Sequence, residues 1–323
     1  YGPLVFLTTP VEIAGGEEAV TAALEASRLV PVSAPVEAAA ITWPYTDFGT
    51  PTQPTGQTEI ADLGTTLVTF PNGVILTVKP TTFTDEQILV SVRAGNGELD
   101  LPLDRVTPVW AAGTEVTQGG LGQLTRTQIE QLTAANVVSV GFNPDTDANQ
   151  FTGRTRPEDL DLQMQLLAAT FTDAGWRPEP FALIKSSIGP QLEQVRATPG
   201  GAFALDGGPM LSSGDKRNSL PTQAEIDNAQ LDDLRQLITS SISKGPIEII
   251  MVGDVTVEAA IDAVSSTFGA LPERAPAVEP SQAALTLNFP APTPTPVQLT
   301  HKGAPEQALG YVAWPTVDSI EDR

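Results

Sequence analysis

The sequence predicts an α+β fold: a two-layer domain with a mainly antiparallel sheet covered by helices on one face. Three observations carry this. Two pairs of short apolar runs are joined by turn residues, "VTFPNGVILTVKP" at 68–80 and "VVSVGF" with "QFTGRT" across 137–155. Segments with helical spacing follow, the clearest being Leu160, Met164, Leu167 and Phe171 at i, i+4, i+7 and i+11. Near the end, "PIEIIMVGDV" supplies one more strand.

The elements follow in order. At Asn72-Gly73 a two-residue type I′ turn is expected, because both central residues of that turn need positive φ. "QILVSVRAG" from Gln87 continues the sheet. A helix is expected from Pro102 to Val116, interrupted at Pro108 and closed by "GGLG" at Gly119–Gly122. The second hairpin is joined by the loop "NPDTDAN". The next helix starts at Pro157, where Glu158 and Asp159 suit the positive end of the helix dipole. Another, from Pro178 to Arg196, is expected to break or kink at Gly189-Pro190. Leu231, Leu234 and Ile238 mark a helix from Leu231 to Ile242. The strand "PIEIIMVGDV" is apolar on consecutive positions, as a central strand covered on both faces would be. Val257, Ile261, Val264 and Phe268 line the closing helix.

Composition limits the partners. A chain of 323 residues exceeds the usual single domain. Its formal charge of −22, from 17 basic and 39 acidic residues, disfavours nucleic acid and anionic membrane surfaces. With no cysteine there are no disulfides, thiolate zinc sites or cysteine nucleophiles, and the redox compartment stays open. No apolar run approaches the roughly 20 residues that span a bilayer. The first residues lack the sections of a signal peptide.

The chain reads as an excised piece. Residues 1–40 are expected to be the tail of a preceding similar domain and 41–64, rich in proline and threonine, a linker. Residues 65–274 form one complete domain, 275–296 a proline-rich linker and 297–323 the start of a following similar domain. An internal repeat supports this. Strand "LVFLTTPV" leads to helix "EAVTAALEAS", as "IIMVGDV" leads to "EAAIDAVSST". Glu18, Ala19, Ala23, Leu24 and Ser27 match Glu258, Ala259, Ala263, Val264 and Thr267 in type.

Candidate chemistry is thin. Asp145, Asp147 and Asn149 have the alternate spacing that opens a calcium loop. The sixth place, however, is Gln150 where glycine is needed, and the twelfth is Arg156 where a bidentate glutamate belongs. A solvated hairpin loop is the better reading. Ser241 and Lys244 match Ser-x-x-Lys, but at a helix end and without Ser-Asp-Asn. The glycine pairs at Gly119, Gly200 and Gly207 lack the strand and Lys-Ser/Thr of a phosphate loop and read as turns and hinges. His301, the one histidine, cannot hold zinc alone and reads as an exposed residue in a strand-like segment. No catalytic or metal residue is assigned, and the substrate-binding residues stay open.

The segment 65–274 resembles the insulinase-like (pitrilysin) zinc peptidase superfamily. The likeness runs through "VTFPNGVILTVKPTTFTDEQILVSVRAGNG", "GGLGQLTRTQIEQL", "FTGRTRPEDLDLQMQLLAATFT", "LEQVRATPGGAF" and "IIMVGDVTVEAAIDAVSSTFGALPER". "HKGAPEQALGYVAWPT" resembles the start of a further domain. The resemblance implies four similar domains in two halves closing around a chamber. An inverted zinc motif, His-x-x-Glu-His, lies in the first half, with a later glutamate as further ligand. The corresponding helix here, "PLDRVTPVWAAGTEVTQGG", has no histidine, so no ligand or base carries over. The family's substrate-orienting arginine and tyrosine would lie beyond Arg323.

The expected role is therefore the non-catalytic half of such a peptidase: a chamber wall for extended peptides, with no cofactor of its own and zinc in a missing first half. Two alternatives differ in class. One is a scaffolding partner of a separate active subunit. The other is a stand-alone peptide-binding module working by strand addition.

Overall fold

The structure, a computed structural model, describes residues 6–31, 41–217, 219–286 and 288–314. The chain divides into two units, Tyr1–Ile41 and Thr42–Arg323. Within the first, helix α1 spans Gly16–Arg28 and buries none of its residues. The strand expected before it falls partly outside the described residues, and 6–11 are irregular.

The second unit is built on seven strands: β1 Gly56–Ile60, β2 Thr65–Thr69, β3 Val74–Pro80, β4 Ile88–Ala94, β5 Gly141–Pro144, β6 Asn149–Thr155 and β7 Ile247–Gly253. Their order is β1-β2-β3-β7-β4-β6-β5. The β3–β7 pair is parallel and the other five are antiparallel. Alternation sends Val74, Leu76 and Val78, Ile88, Val90 and Val92, and Ile247, Ile249 and Met251 to one face, where all are buried. Helices cover that face: α2 Ala112–Gln118, α4 Leu160–Asp173, α5 Pro178–Val195, α6 Leu231–Ile242 and α7 Val257–Ser265, while α3 Arg126–Leu132 packs through Ile129 with Leu166 and Ala169 of α4. Leu160, Met164, Leu167 and Phe171 of α4 are buried as their spacing requires. An aromatic row ties the layers together: Phe142, Phe151, Phe171 and Phe268 have successive centroid separations of 4.7, 5.5 and 5.7 Å. Each fully buried side chain of this size contributes ~3 kcal/mol by removal from water.

Several expectations need correction. The Asn72 turn is not type I′. The Gly73 amide donates to the Phe70 carbonyl and the Phe70 amide to Val74, and of the turn residues only Gly73 has positive φ, at 86°. This is a three-residue loop with Pro71 and a left-handed glycine. Asn72 is there for its side chain, whose Nδ2 donates to the carbonyls of Phe268 and Leu271, both at 2.9 Å. The helix expected from Pro102 begins at Pro108, with a 3-10 turn Pro108–Ala111 leading into α2. Proline takes the first helical position, where its missing N–H costs nothing. The strand expected from Val137 begins only at Gly141, because side chains of the following helical segment take up the earlier backbone. Asp159 accepts from the Val137 amide at 2.8 Å, and the Gln163 amide bonds both the N–H and the C=O of Ser139 at 2.9 Å. Helix α5 runs unbroken through Pro190.

Strand β7 is central but covered on one face only. Glu248 and Ile250 point outward, Ile250 at 38% exposure, beside Leu89 of β4 at 49%. Helix α3 was not expected, although its capping box is readable as Thr125-Arg126-Thr127-Gln128. Of the segment 41–64, read as a linker, residues 42–64 belong to this unit. Tyr45 is buried with Leu121, Leu124 and Leu166, Trp43 Nε1 donates to Gln165 at 2.9 Å, and β1 pairs along β2.

Candidate functional site

Helix α2 lies in the segment 102–120 that the resemblance sets against the zinc helix. Its sequence is Ala112-Gly113-Thr114-Glu115-Val116-Thr117-Gln118. Setting its one glutamate in the His-x-x-Glu-His register puts Ala112 and Val116 where histidines would stand. Both are buried apolar side chains without a donor atom for a metal. Glu115 is itself 0% exposed, and neither carboxylate oxygen makes a hydrogen bond of normal geometry. Burial pushes its carboxyl up to about 7, opposed by the backbone amide and charge of Arg177. A glutamate closed off from solvent has no water to activate. Among the described residues no group of three or more His, Cys, Asp or Glu is arranged to hold a metal. The residues present do not fit a zinc ion. Glu115 itself escaped the sequence reading; the signal was a lone acid among small apolar residues, with no basic residue one turn away.

The other candidates are dispersed by the fold. Arg93 occupies the would-be calcium loop, its Nη2 donating to Asp147 at 2.6 Å and its Nη1 lying 3.7 Å from Asp145. Asn149 is buried and turned to Ser241, Gln150 bonds Ser91, and Arg156 pairs with Asp159 at 2.6 Å. Ser241 lies in the last turn of α6, where its Oγ donates to Asp100 at 2.5 Å and accepts from Asn149 at 2.9 Å. Lys244 is exposed beyond the helix end.

Gly119 ends α2 and Gly120, at φ +70°, turns the chain, as expected. Gly200 and Gly207 are not turns. Gly200 lies in a short helix Pro199–Ala202 capped by Thr198, and Gly207 closes a π-turn, Phe203–Gly207, that continues it. His301 is half-buried in a non-strand loop. Its Nδ1 accepts the Gly303 amide at 3.1 Å, so Nε2 carries the proton and donates to the Gln307 carbonyl at 3.0 Å.

Two open clefts among the described residues border these elements. One of about 950 Å³ lies between the β4–β7 end of the sheet, α6 and residues 277–285, with Arg93, Arg105, Lys244, Asp233 and Glu248 on its walls. The other, about 640 Å³, borders α2 and β5 and is lined by Thr107, Trp110, Thr114, Gln118 and Asn143. The larger also holds Ser241, its hydroxyl bonded to Asp100. The two sheet edges also differ. Gly113 of α2 sits against the Phe142 carbonyl of edge strand β5, whereas all five residues of edge strand β1 are exposed.

No family model matches the sequence, and no curated protein does. Solved structures do match. A mutant of the ferredoxin protease FusC, in complex with Arabidopsis ferredoxin, has a TM-score of 0.62 at 16% identity, over 82% of this chain and 29% of that one. The periplasmic protease PqqL from Escherichia coli gives 0.63 at 16%, over 88% of this chain and 30% of that one. The peptidase M16 inactive domain from Pseudomonas fluorescens gives 0.56 at 15%, over 68% and 54%. This chain thus spans under a third of the length of the first two. At such identities the likeness is one of architecture, and on that ground the chain has the fold of the insulinase-like, pitrilysin-type peptidases, shared by whole proteases and by an inactive domain.

Proposed function

We propose that this chain is a non-catalytic half of an insulinase-type zinc metallopeptidase and forms part of the wall of its peptide-degrading chamber, with catalysis on a first half that precedes it. What supports the reading is α2, which lies in the segment that the resemblance sets against the zinc helix: it carries no histidine, and its one glutamate is sealed from solvent. The likeness to an inactive domain and to proteases supports it. FusC, seen with a ferredoxin, makes polypeptide the substrate class to expect.

The surface offered to such a chain is the uncovered sheet face. There Ile75, Ile250 and Leu89 lie among Lys79, Arg154, Glu248 and an Arg93 paired with Asp147. A second reading, strand addition at the β1 edge, is favoured by the exposure of that whole strand.

The test is direct. The purified chain is expected to hold well under one zinc per molecule by metal analysis and to leave unstructured peptides intact. One zinc per chain, or chelator-sensitive cleavage, would sink the proposal. Micromolar binding of such peptides, lost on Thr58→Pro in β1 and kept on Leu89→Lys, would favour the module reading.

A further inference from the structure

The non-catalytic reading gives Glu115 no task, yet its setting is unusual. The exit of α2 is fastened to the connection between α4 and α5. The Gly122 amide donates to the Asp173 carbonyl at 2.8 Å and the Gly175 amide to Gly120 at 2.9 Å. Arg177 then reaches across, donating through Nη1 to the Gly119 carbonyl and through Nη2 to Leu121 at 2.9 Å. Side chains at Gly119 and Gly175 would fill this crossing, since a Cβ on Gly119 would stand 3.0 Å from Glu115 Oε1 and one on Gly175 2.2 Å from Arg177 Nη1. The buried carboxyl therefore meets the backbone amide and the charge of Arg177, while the guanidinium of that residue is spent on backbone carbonyls. The charged groups acting on Glu115 are Arg177 and Glu179, both at the start of α5. β5 and the turn Pro108–Ala111, which also pack on α2, bring none.

We propose that Glu115 and Arg177 form a pH-sensitive latch between α2 and the start of α5. With Glu115 protonated, Arg177 clasps the two carbonyls and the turn 119–124 is closed. With Glu115 ionised, the carboxylate competes for the same guanidinium and draws in water, and the turn opens. Ionisation is a proton transfer to solvent, so the step needs no other reactant. The cleft beside α2 shares this helix and loosens with it.

The sign follows from linkage. A carboxyl raised from 4.5 to about 7 in the closed state favours closure at low pH, and that advantage is lost as pH rises through this interval. Between pH 5.5 and 8.5 the opening equilibrium should increase by about 30-fold. Hydrogen exchange by mass spectrometry on the full chain, corrected for intrinsic rates, reads it in peptides covering 119–124. Wild type should show the rise and Glu115→Gln a flat response; Glu115→Met serves if the glutamine variant does not fold. Arg177→Gln should open the turn already at pH 5.5. Equal pH responses in wild type and the Glu115 variant, or a turn still closed in Arg177→Gln, would overturn the latch.

Discussion

Replacing Asn72 by glycine separates two accounts of the first hairpin. If residue 72 served to tolerate positive φ, glycine would do as well or better. The structure assigns it another task, because its Nδ2 holds the carbonyls of Phe268 and Leu271 at 2.9 Å and its side chain is 6% exposed. Each such bond contributes ~1 kcal/mol net, and leaving a buried carbonyl unpartnered adds to the loss. Glycine also costs ~0.5–1 kcal/mol through the freedom of the unfolded chain. Together Asn72→Gly should destabilise the sheet unit by about 3 kcal/mol. Urea unfolding followed by far-ultraviolet circular dichroism measures this as a lowered midpoint at unchanged slope. A variant within about 0.5 kcal/mol of wild type would refute the side-chain account.

The remaining expectations follow the same logic. Gln163→Leu strips both partners from Ser139 and should cost about 2–4 kcal/mol in the same unfolding assay; a neutral result would mean that water replaces the amide. Burial of Asp159 acts to raise its carboxyl, but bonds from the Val137 amide, Asn136 and Arg156 outweigh it and hold it below the ordinary aspartate value. Its contribution is present above the unfolded-state pKa and is lost as pH falls through the lower, folded one. Asp159→Asn should therefore flatten the acid limb of stability measured below about pH 4. Phe151→Ala, in the middle of the aromatic row, should cost about 3–5 kcal/mol by thermal unfolding.

What was legible in the sequence was local. Hairpins, the stripe of α4 and the closing helix all follow from spacing within a dozen residues. The lack of histidine in 102–120 was equally plain. What was not legible depends on partners far along the chain. The shortening of β5 is set by Gln163 and Asp159, which take over backbone that a strand would otherwise pair. The one-sided burial of β7 comes from its alternation, Ile247, Ile249 and Met251 inward against Glu248, Ile250 and Val252, which a run of apolar letters conceals. The setting of Glu115 includes the amide and charge of Arg177, more than sixty positions later in the chain.

The position of β7 has a kinetic consequence. It enters between β3 and β4, so before residue 253 exists the sheet is two separate triplets, β1-β2-β3 and β4-β6-β5. A nascent chain leaving the ribosome can fold each ribbon but cannot join them. Both flanks of the gap present unpaired backbone for the whole of that interval, the state in which strands find wrong neighbours. Assembly waits on the last strand, and a truncation before Ile247 leaves nothing to bind the halves.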